Sequence, residues 1–478
     1  MEFYRALPEI FVLGAACLIL LIDTFFKQRR LRVTYALTQL TIIVAFILSL
    51  IQWNTQTFVG FHGTFIRDHF TSLLEMVIYI AMFIIFIFSH EYILDRENMG
   101  RGEYYILGLF SMLGMMVLVS AHSLITIYLG LELLSLPLYA MVAMRRDDQK
   151  ATEAGMKYFV MGAVASGMLL YGISFIYGSV HTINLAQIAT ALAAGHVLMP
   201  VFLLGLVLII VGIAFKLGVV PFHMWLPDVY DGAPNSVMMF VGTAPKVAAF
   251  GMAIRLLVEM MPTMQAQWQP LFIFLAILSM GLGNLLAIAQ TNIKRMLAYS
   301  GIAHIGYMLL GLIAGTANGY SSALFYIIVY VFMSLAAFSM IILLSRQGFE
   351  CENISDLKGL NTRSPWLALM VLFTMFSMAG IPPFIGFFAK LSVLEALISV
   401  HIVWLAVLAI VFAIIGLYYY LRVIKVVYFE QPDTDEPIAW NFDMRIILSV
   451  NSMALLFFGL FPGAIFALCQ YTFLGWHF

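Results

Sequence analysis

The sequence predicts an all-α, polytopic membrane protein with about fourteen transmembrane helices. Three observations predict it. Of the 478 residues, 63% are hydrophobic and only 10% are charged, whereas a soluble domain carries about 25% charged residues. The mean hydropathy is +0.99. The apolar residues fall in runs near the roughly 20 residues that an α-helix needs to cross a bilayer. The polar residues are too few to cover a globule of this size. A net charge of −1 leaves no basic footprint for nucleic acid.

The spans lie near 7–26, 34–53, 70–90, 104–120, 123–143, 157–178, 199–222, 236–259, 270–290, 297–315, 320–345, 366–398, 402–427 and 445–470. The first lacks a basic flank and a small-residue cleavage site, so it reads as a retained helix. Internal Gly and Pro in later spans are tolerated where neighbouring helices re-satisfy the backbone. Basic residues set the orientation. With an outward N-terminus, the cytoplasmic loops collect Lys27, Arg29, Arg30, Arg32, Arg96, Arg101, Arg145, Arg146, Lys150, Lys157, Lys294, Arg295, Arg346, Lys358, Arg363, Arg422, Lys425 and Arg445. The outward side keeps only Arg5, Arg67 and Arg255. That asymmetry follows the positive-inside rule, places both termini outward and requires an even number of spans. The acidic stretch 430–443 is expected to be a cytoplasmic loop.

The seventh and twelfth spans are interrupted. FKLGVVPFHMWLPD carries Lys216 before Gly218 and Pro221, and MAGIPPFIGFFAKL carries Pro382 and Pro383 before Lys390. Matched broken helices point to an internal repeat with its site near the bilayer midplane. The expected organisation is one integral membrane domain, 1–478. A first repeat covers about 104–259 and a second about 270–427, with peripheral helices at about 7–90 and 445–470.

Four ionisable residues stand out inside apolar spans: Glu132, Lys216, Lys246 and Lys390. A charge at a helix centre costs at least ~2.5–3.5 kcal/mol and marks an ion or proton pathway by default. The bland reading of Glu132 is a neutral acid that bonds two helices together. For Lys216 it is a lysine snorkelling to an interface, but Leu217 to Phe222 separate it from the next polar residues. Lys246 follows Pro245 among small residues that let helices approach closely. Burial favours the neutral forms of such groups, and mutual attraction favours the charged ones. A Glu132–Lys216 pair at ~6 Å and an effective dielectric of about 20 would attract by on the order of 3 kcal/mol, enough to gate proton occupancy. His304, in YSGIAHIGYM, and His223 are weaker candidates, with Tyr299, Ser300 and Tyr307 able to extend a polar file or simply to pack. Asp228 and Asp231 read as caps of the eighth span. Asp23 reads as a surface partner of Lys27 and Arg29. Cys17, Cys351 and Cys469 are far apart and form no CxxC or metal-ligand spacing, so a redox cofactor would sit on another chain.

FKLGVVPFHMWLPDVYDGAP, QTNIKRMLAYSGIAHIGYM, AGIPPFIGFFAKL and GLYYYLRVIKVVYF resemble the antiporter-like membrane subunits of proton-pumping NADH:quinone oxidoreductase, respiratory complex I. The resemblance runs from about residue 70 to 430. It implies a fourteen-helix fold with two inverted five-helix repeats. It also implies that Glu132, Lys216, Lys246 and Lys390 occupy the family's helix-five glutamate, helix-seven lysine, helix-eight lysine and helix-twelve positions. Lysine at 390 argues against a paralogue with glutamate there. The end at Phe478 leaves no room for the lateral helix of another, and the first three helices are those of bacterial members. By the same resemblance, NADH, FMN, iron–sulfur clusters and quinone belong to partner subunits. The free energy of their reaction would reach this chain through the other membrane-arm subunits and drive protons across the inner membrane. Two rivals stand at this point. One is a subunit of a multi-subunit cation/proton antiporter, against which GLYYYLRV and Lys390 speak. The other is a scaffold that transmits conformational change without moving protons.

Overall fold

A chain in hydrocarbon must satisfy its backbone hydrogen bonds internally, and long apolar runs do so as helices. The structure, a computed structural model, describes residues 1–25, 31–53, 56–96, 102–345, 348–432, 442–474 and 476. Among them, twelve helices are long and apolar enough to cross a membrane, and two shorter apolar helices, Glu103–Val119 and Pro365–Ala379, accompany them.

In chain order the principal helices are α1 (Leu7–Phe25), α2 (Leu31–Ile51), α3 (His69–Leu94), α4 (Glu103–Val119), α5 (Leu124–Val142), α6 (Gln149–Val180), α7 (Met199–Leu217), α8 (Trp225–Gly232), α9 (Asn235–Val241), α10 (Ala244–Ile254), α11 (Gln265–Ala289), α12 (Ile293–Ala314), α13 (Ala317–Leu344), α14 (Pro365–Ala379), α15 (Ile385–Ser399), α16 (Val403–Phe429), α17 (Phe442–Leu460) and α18 (Gly463–Thr472). A small antiparallel hairpin, β1 (Phe58–Gly60) and β2 (Phe65–Arg67), lies between α2 and α3. It marks one end of the bundle. The apolar window of Asn235–Glu259 is wholly buried and that of α12 is 94% buried, against 28% for α1. The middle of the chain is therefore the centre of the bundle, and the N-terminal helices are peripheral.

Each expected span coincides with a helix or with two consecutive helices. The doubled ones carry the interest. The eighth splits into α9 and α10, the twelfth into α14 and α15, and the last into α17 and α18, while the seventh stops at Leu217 and α8 follows from Trp225, past the expected end at 222. The seventh and twelfth break in the same way. At the first, Gly218 (φ 74) closes α7, its N–H donating to Ala214 and Phe215, while the Val219 N–H donates to Ala214. At the second, Gly380 (φ 82) closes α14, its N–H donating to Phe376 and Ser377, while the Ile381 N–H donates to Phe376. This left-handed C-terminal closure suits glycine, which has no Cβ to clash. A second matched pattern involves helix starts. The Leu124 N–H donates to Ile183 and the Leu185 N–H to His122, at the hairpin end. The Ile293 N–H donates to Glu352 and the Ile354 N–H to Thr291. The latter set lies at the opposite end, beside Asp231, which accepts from Asn292 at 2.7 Å.

That opposite end is tied by charge. Glu350 accepts from Tyr92 (2.9 Å), Arg96 Nε (3.0 Å) and Asn235 Nδ2 (2.7 Å), and also pairs with Arg145. The ends of α3, α5 and α13 and the start of α9 therefore meet on one carboxylate. Burial pushes that carboxyl up, but Arg145 and Arg96 outweigh it and hold it below its usual range. Asp228 and Asp231 do not cap a helix, as their positions in the sequence suggested. Asp228 bonds Lys157 (2.8 Å) and Arg295 (2.9 Å), and Asp231 pairs with Lys150 (3.0 Å). Burial raises the Asp228 carboxyl, and the bonds from Lys157 and Arg295 hold it below the ordinary value. Lys294, among the basic residues expected on the cytoplasmic side, pairs with Glu352 at 3.0 Å. Asp23 accepts from Thr34 at 2.7 Å. Its expected partners Lys27 and Arg29, with most of the 430–443 loop, lie outside the described residues.

Candidate functional site

The four residues singled out from the sequence lie on four different helices, and three of them end on helix breaks or beside one. Lys216 is in the last turn of α7 and 6% exposed. Its Nζ donates to Ser135 Oγ at 2.7 Å, and that hydroxyl in turn donates to the Leu131 carbonyl at 2.6 Å. Glu132 sits three residues before Ser135 on α5, half-buried, with Oε1 enclosed and without a hydrogen bond. Glu132 and Lys216 make no ion pair at contact distance among the described residues, yet they act on each other electrostatically. A serine one turn along α5 takes the ammonium instead. A cavity of about 10 Å³ opens there, lined in part by Ser135, Tyr139, Ser166 and Lys216. That is near the space a single water needs.

Lys246 is 2% exposed and belongs to the first turn of α10. Its Nζ donates to the Leu217 carbonyl at 2.6 Å and lies 5.6 Å from the Trp225 ring. Leu217 adjoins Lys216, so the Lys246 ammonium ends on the carbonyl next to Lys216, whose own ammonium is held by Ser135. Trp225 Nε1 donates to the Phe215 carbonyl at 3.2 Å, and Ser279 Oγ accepts from the Val220 N–H at 3.0 Å. The exposed backbone of the break is thereby satisfied. Sequence hydropathy gave no sign of the break before Lys246. Thr243 creates it, leaving helical geometry at φ −126 and ψ −93.

Lys390, half-buried on α15, repeats the arrangement at the second break. Its Nζ donates to the carbonyls of Ala379 (2.9 Å) and Met378 (3.2 Å), the last residues of α14, and lies 5.3 Å from the Tyr307 ring. The C-terminal end of a helix carries partial negative charge, which an ammonium complements.

His304 is 2% exposed at the centre of a hydroxyl file. Nδ1 meets Tyr326 OH at 2.8 Å and Nε2 meets Tyr420 OH at 2.9 Å; Tyr420 OH also meets Ser300 Oγ at 2.5 Å. A parallel leg runs from Tyr419 OH to Asn284 Oδ1 (3.2 Å) and from Asn284 Nδ2 to Tyr307 OH (3.3 Å). The expected Ser300 and Tyr307 are in these networks. Tyr299 is not, and its ring lies 6.5 Å from that of His223. His223 is half-buried past the α7 break, with Nδ1 enclosed and unbonded, and joins neither leg. Ser135, Asn284, Tyr326 and Tyr420 were missed by sequence reasoning because polar uncharged residues are common in membrane helices and only geometry distinguishes these. Glu9 and Glu75 were missed as well. They also lie inside apolar helices, and the rule that selected Glu132 should have selected them.

A family model described as "NADH:quinone oxidoreductase/Mrp antiporter, TM" matches residues 121–416. NADH-quinone oxidoreductase subunit N of Coxiella burnetii is 53% identical, covering 99% of both chains. That of Thioalkalivibrio sulfidiphilus is 50% identical, covering 98% of this chain and 97% of its own. Among solved structures, a chain of respiratory complex I from Thermus thermophilus with bound aureothin is 30% identical, with a TM-score of 0.83 over 97% of this chain and 99% of its own. A chain of the Mrp complex from Dietzia sp. has a TM-score of 0.88 over 99% of this chain and 97% of its own, at 19% identity. That second likeness shows the fold alone, so sequence identity separates the two groups where shape does not.

Proposed function

This chain belongs to the subunit N family of NADH-quinone oxidoreductase, and on that premise we propose that Glu132, Lys216, Lys246 and Lys390 carry protons across the membrane. The chain is a proton-translocating membrane subunit, a multi-pass member of the membrane arm that packs against other subunits of the complex. Electron transfer from NADH to quinone takes place on partner subunits, which hold the FMN and iron–sulfur clusters. The wide separation of the three cysteines favours that division. The membrane is the bacterial inner membrane, with both termini and the hairpin end outward, as the distribution of basic residues favours.

The observation that carries the reading is that three buried or half-buried ammonium groups end on a serine hydroxyl or on the open carbonyls of broken helices. Such groups can be charged or neutral without refolding, which a proton station requires. Cytoplasmic protons reach Lys216, whose charge Glu132 biases across Ser135. Lys246 takes the proton at the same helix end, and Lys390 passes it outward. The His304 file, with its bound tyrosine hydroxyls, adjoins Lys390 and supplies the exchangeable hydrogens for transfer. We assign two inverted repeats, about 104–259 and 270–427. The matched closures at Gly218 and Gly380 and the matched helix starts at opposite ends of the bundle support them.

The test is Lys216→Ala in membrane vesicles, with NADH-driven proton pumping and electron transfer read together. Both should fall. Parental rates of both in an assembled complex would remove Lys216 from the path and favour a scaffold.

A further inference from the structure

A second set of buried charges lies at the hairpin end, away from the lysines. Arg67 is 1% exposed and donates through Nη1 to Glu75 Oε2 at 2.6 Å and through Nη2 to Ser49 Oγ at 2.9 Å. Glu9 Oε1 lies 3.6 Å from the same Nη1. Glu75 is 0% exposed and Glu9 7%. Two carboxyl groups therefore face one guanidinium. The Glu75 carboxylate also accepts from Ser49 Oγ (2.8 Å) and Tyr79 OH (3.4 Å). Neither oxygen of Glu9 has a hydrogen-bond donor among the described residues.

The surroundings add negative charge. Asp68, next in sequence to Arg67, takes Arg255 Nη2 on both oxygens at 2.9 Å. Arg255 also holds Glu259 at 2.7 Å, and Glu259 faces His122 at 2.8 Å. Arg5 lies one turn before Glu9, but its guanidinium is directed over the Phe58 ring at 5.8 Å and makes no ion pair among the described residues. With every carboxyl ionised, Glu9 would be an enclosed anion with no donor, beside a second anion that has already taken the guanidinium. A buried carboxylate needs both a counter-charge and donors, and two carboxylates at one site do not both ionise.

We propose that Glu9 and Glu75 form a proton-holding pair, with a single proton carried on Glu9 and Glu75 ionised against Arg67. The ligand is one proton, exchanged with water at the hairpin end. On release, Glu9 becomes a carboxylate that shares Arg67 with Glu75; on uptake, the earlier arrangement returns. Arg255, which bonds Asp68 beside Arg67, places the site near the helix that carries Lys246. Lys246 and Arg255 are nine positions apart along α10 and the turn that follows it, which at 1.5 Å per residue is about 14 Å. The inference stands on the geometry of the pair and not on the pumping role of the lysines.

The test uses the assembled complex at rest. Its infrared spectrum should contain a carboxylic-acid C=O band, shifted in heavy water, that disappears in Glu9→Gln. Glu9→Gln should assemble at parental levels, because the amide copies a neutral acid. Glu75→Gln should lower the assembled fraction by about tenfold or more, because Arg67 loses its ionised partner. An unchanged acid band in Glu9→Gln, or failure of that variant to assemble, overturns the proposal. The band is read without turnover, so a defect in pumping cannot imitate either result.

Discussion

Replacing Ser135 by alanine removes the hydroxyl that receives the Lys216 ammonium at 2.7 Å. A hydrogen bond to a charged group contributes about 1.5–3 kcal/mol. The adjoining cavity of about 10 Å³ gains the volume of an oxygen atom and then admits one water, which restores part of the loss. The charged form of Lys216 should therefore be disfavoured by a net of about 1–2 kcal/mol, a factor of about 5–30 in its ratio to the neutral form. If that ratio limits proton uptake, NADH-driven pumping and electron transfer should fall together by up to this factor. The assembled amount should stay parental, because the Leu131 carbonyl that Ser135 bonds keeps its own helical bond. Ser135→Thr keeps the hydroxyl and should pump far better than the alanine variant. The measurement is proton uptake into vesicles, normalised to assembled complex. Parental rates in Ser135→Ala would refute the view that this hydroxyl helps hold the charge of Lys216.

Two further outcomes are expected. Gly218→Ala forces a left-handed alanine, costing about 1–2 kcal/mol, and places its Cβ 3.0 Å from Lys246 Nζ and 3.2 Å from Leu226. Gly380→Ala repeats the strain, with a Cβ 2.9 Å from the Lys390 side chain; both should lower the thermal midpoint of the complex, and an unchanged midpoint in either would show that its break tolerates a side chain. Glu350→Gln removes the carboxylate shared by Arg96 and Arg145 and should destabilise by about 2–4 kcal/mol, below the full value for a buried pair because the site is partly open. Its folded carboxyl is held low, so its stabilisation is complete above the unfolded value of about 4.3 and is lost as pH falls through the lower folded value. Melting of the parental complex should lose midpoint below about pH 4 through this group, and Glu350→Gln should lack that contribution.

What the sequence made legible follows from the length scale of each signal. Hydropathy summed over some twenty residues is insensitive to single positions, so the ends of α3, α5 and α13 match their expected spans to within a few residues. The Gly–X–X–Pro–Phe segments at Gly218 and Gly380 announced their breaks because backbone geometry there depends on residue type alone. The partner of Lys216 was not legible. Glu132 and Ser135 lie on the same helix a turn apart, and only helix rotation decides which meets the lysine. The break before Lys246 was hidden because Thr243 is compatible with a helix by propensity and leaves it only in tertiary context. Asp228 and Asp231 looked like caps because capping is local, whereas their actual partners Lys157, Arg295 and Lys150 come from α6 and α12, distant in sequence.

The two breaks share a backbone plan but not a lysine position, and the difference has an energetic consequence. Aligning Gly218 with Gly380 sets Pro221 on Pro383 and Phe222 on Phe384, but sets Lys216 on Met378. At the first break Lys246 meets the negative end of α7 through the Leu217 carbonyl, while the ammonium of neighbouring Lys216 is held by Ser135 on α5. At the second, Lys390 is the one ammonium among the described residues that meets the end of α14. Lys216 and Lys246 are close enough to repel when both are charged, and a helix end carries only about half a negative charge. Charging Lys216 therefore weakens the hold of Lys246 on its proton, which is the coupling a handover requires. The same asymmetry predicts opposite stability effects. Lys216→Met relieves both repulsion and a buried charge, and Ser135 keeps its bond to Leu131, so the thermal midpoint of the complex should stay or rise. Lys390→Met leaves the Met378 and Ala379 carbonyls without their ammonium, a loss of about 1–3 kcal/mol, so the midpoint should fall. If Lys216→Met proves the more destabilising of the two, the Lys216 and Lys246 ammonium groups do not compete, and the handover between them needs another driving force.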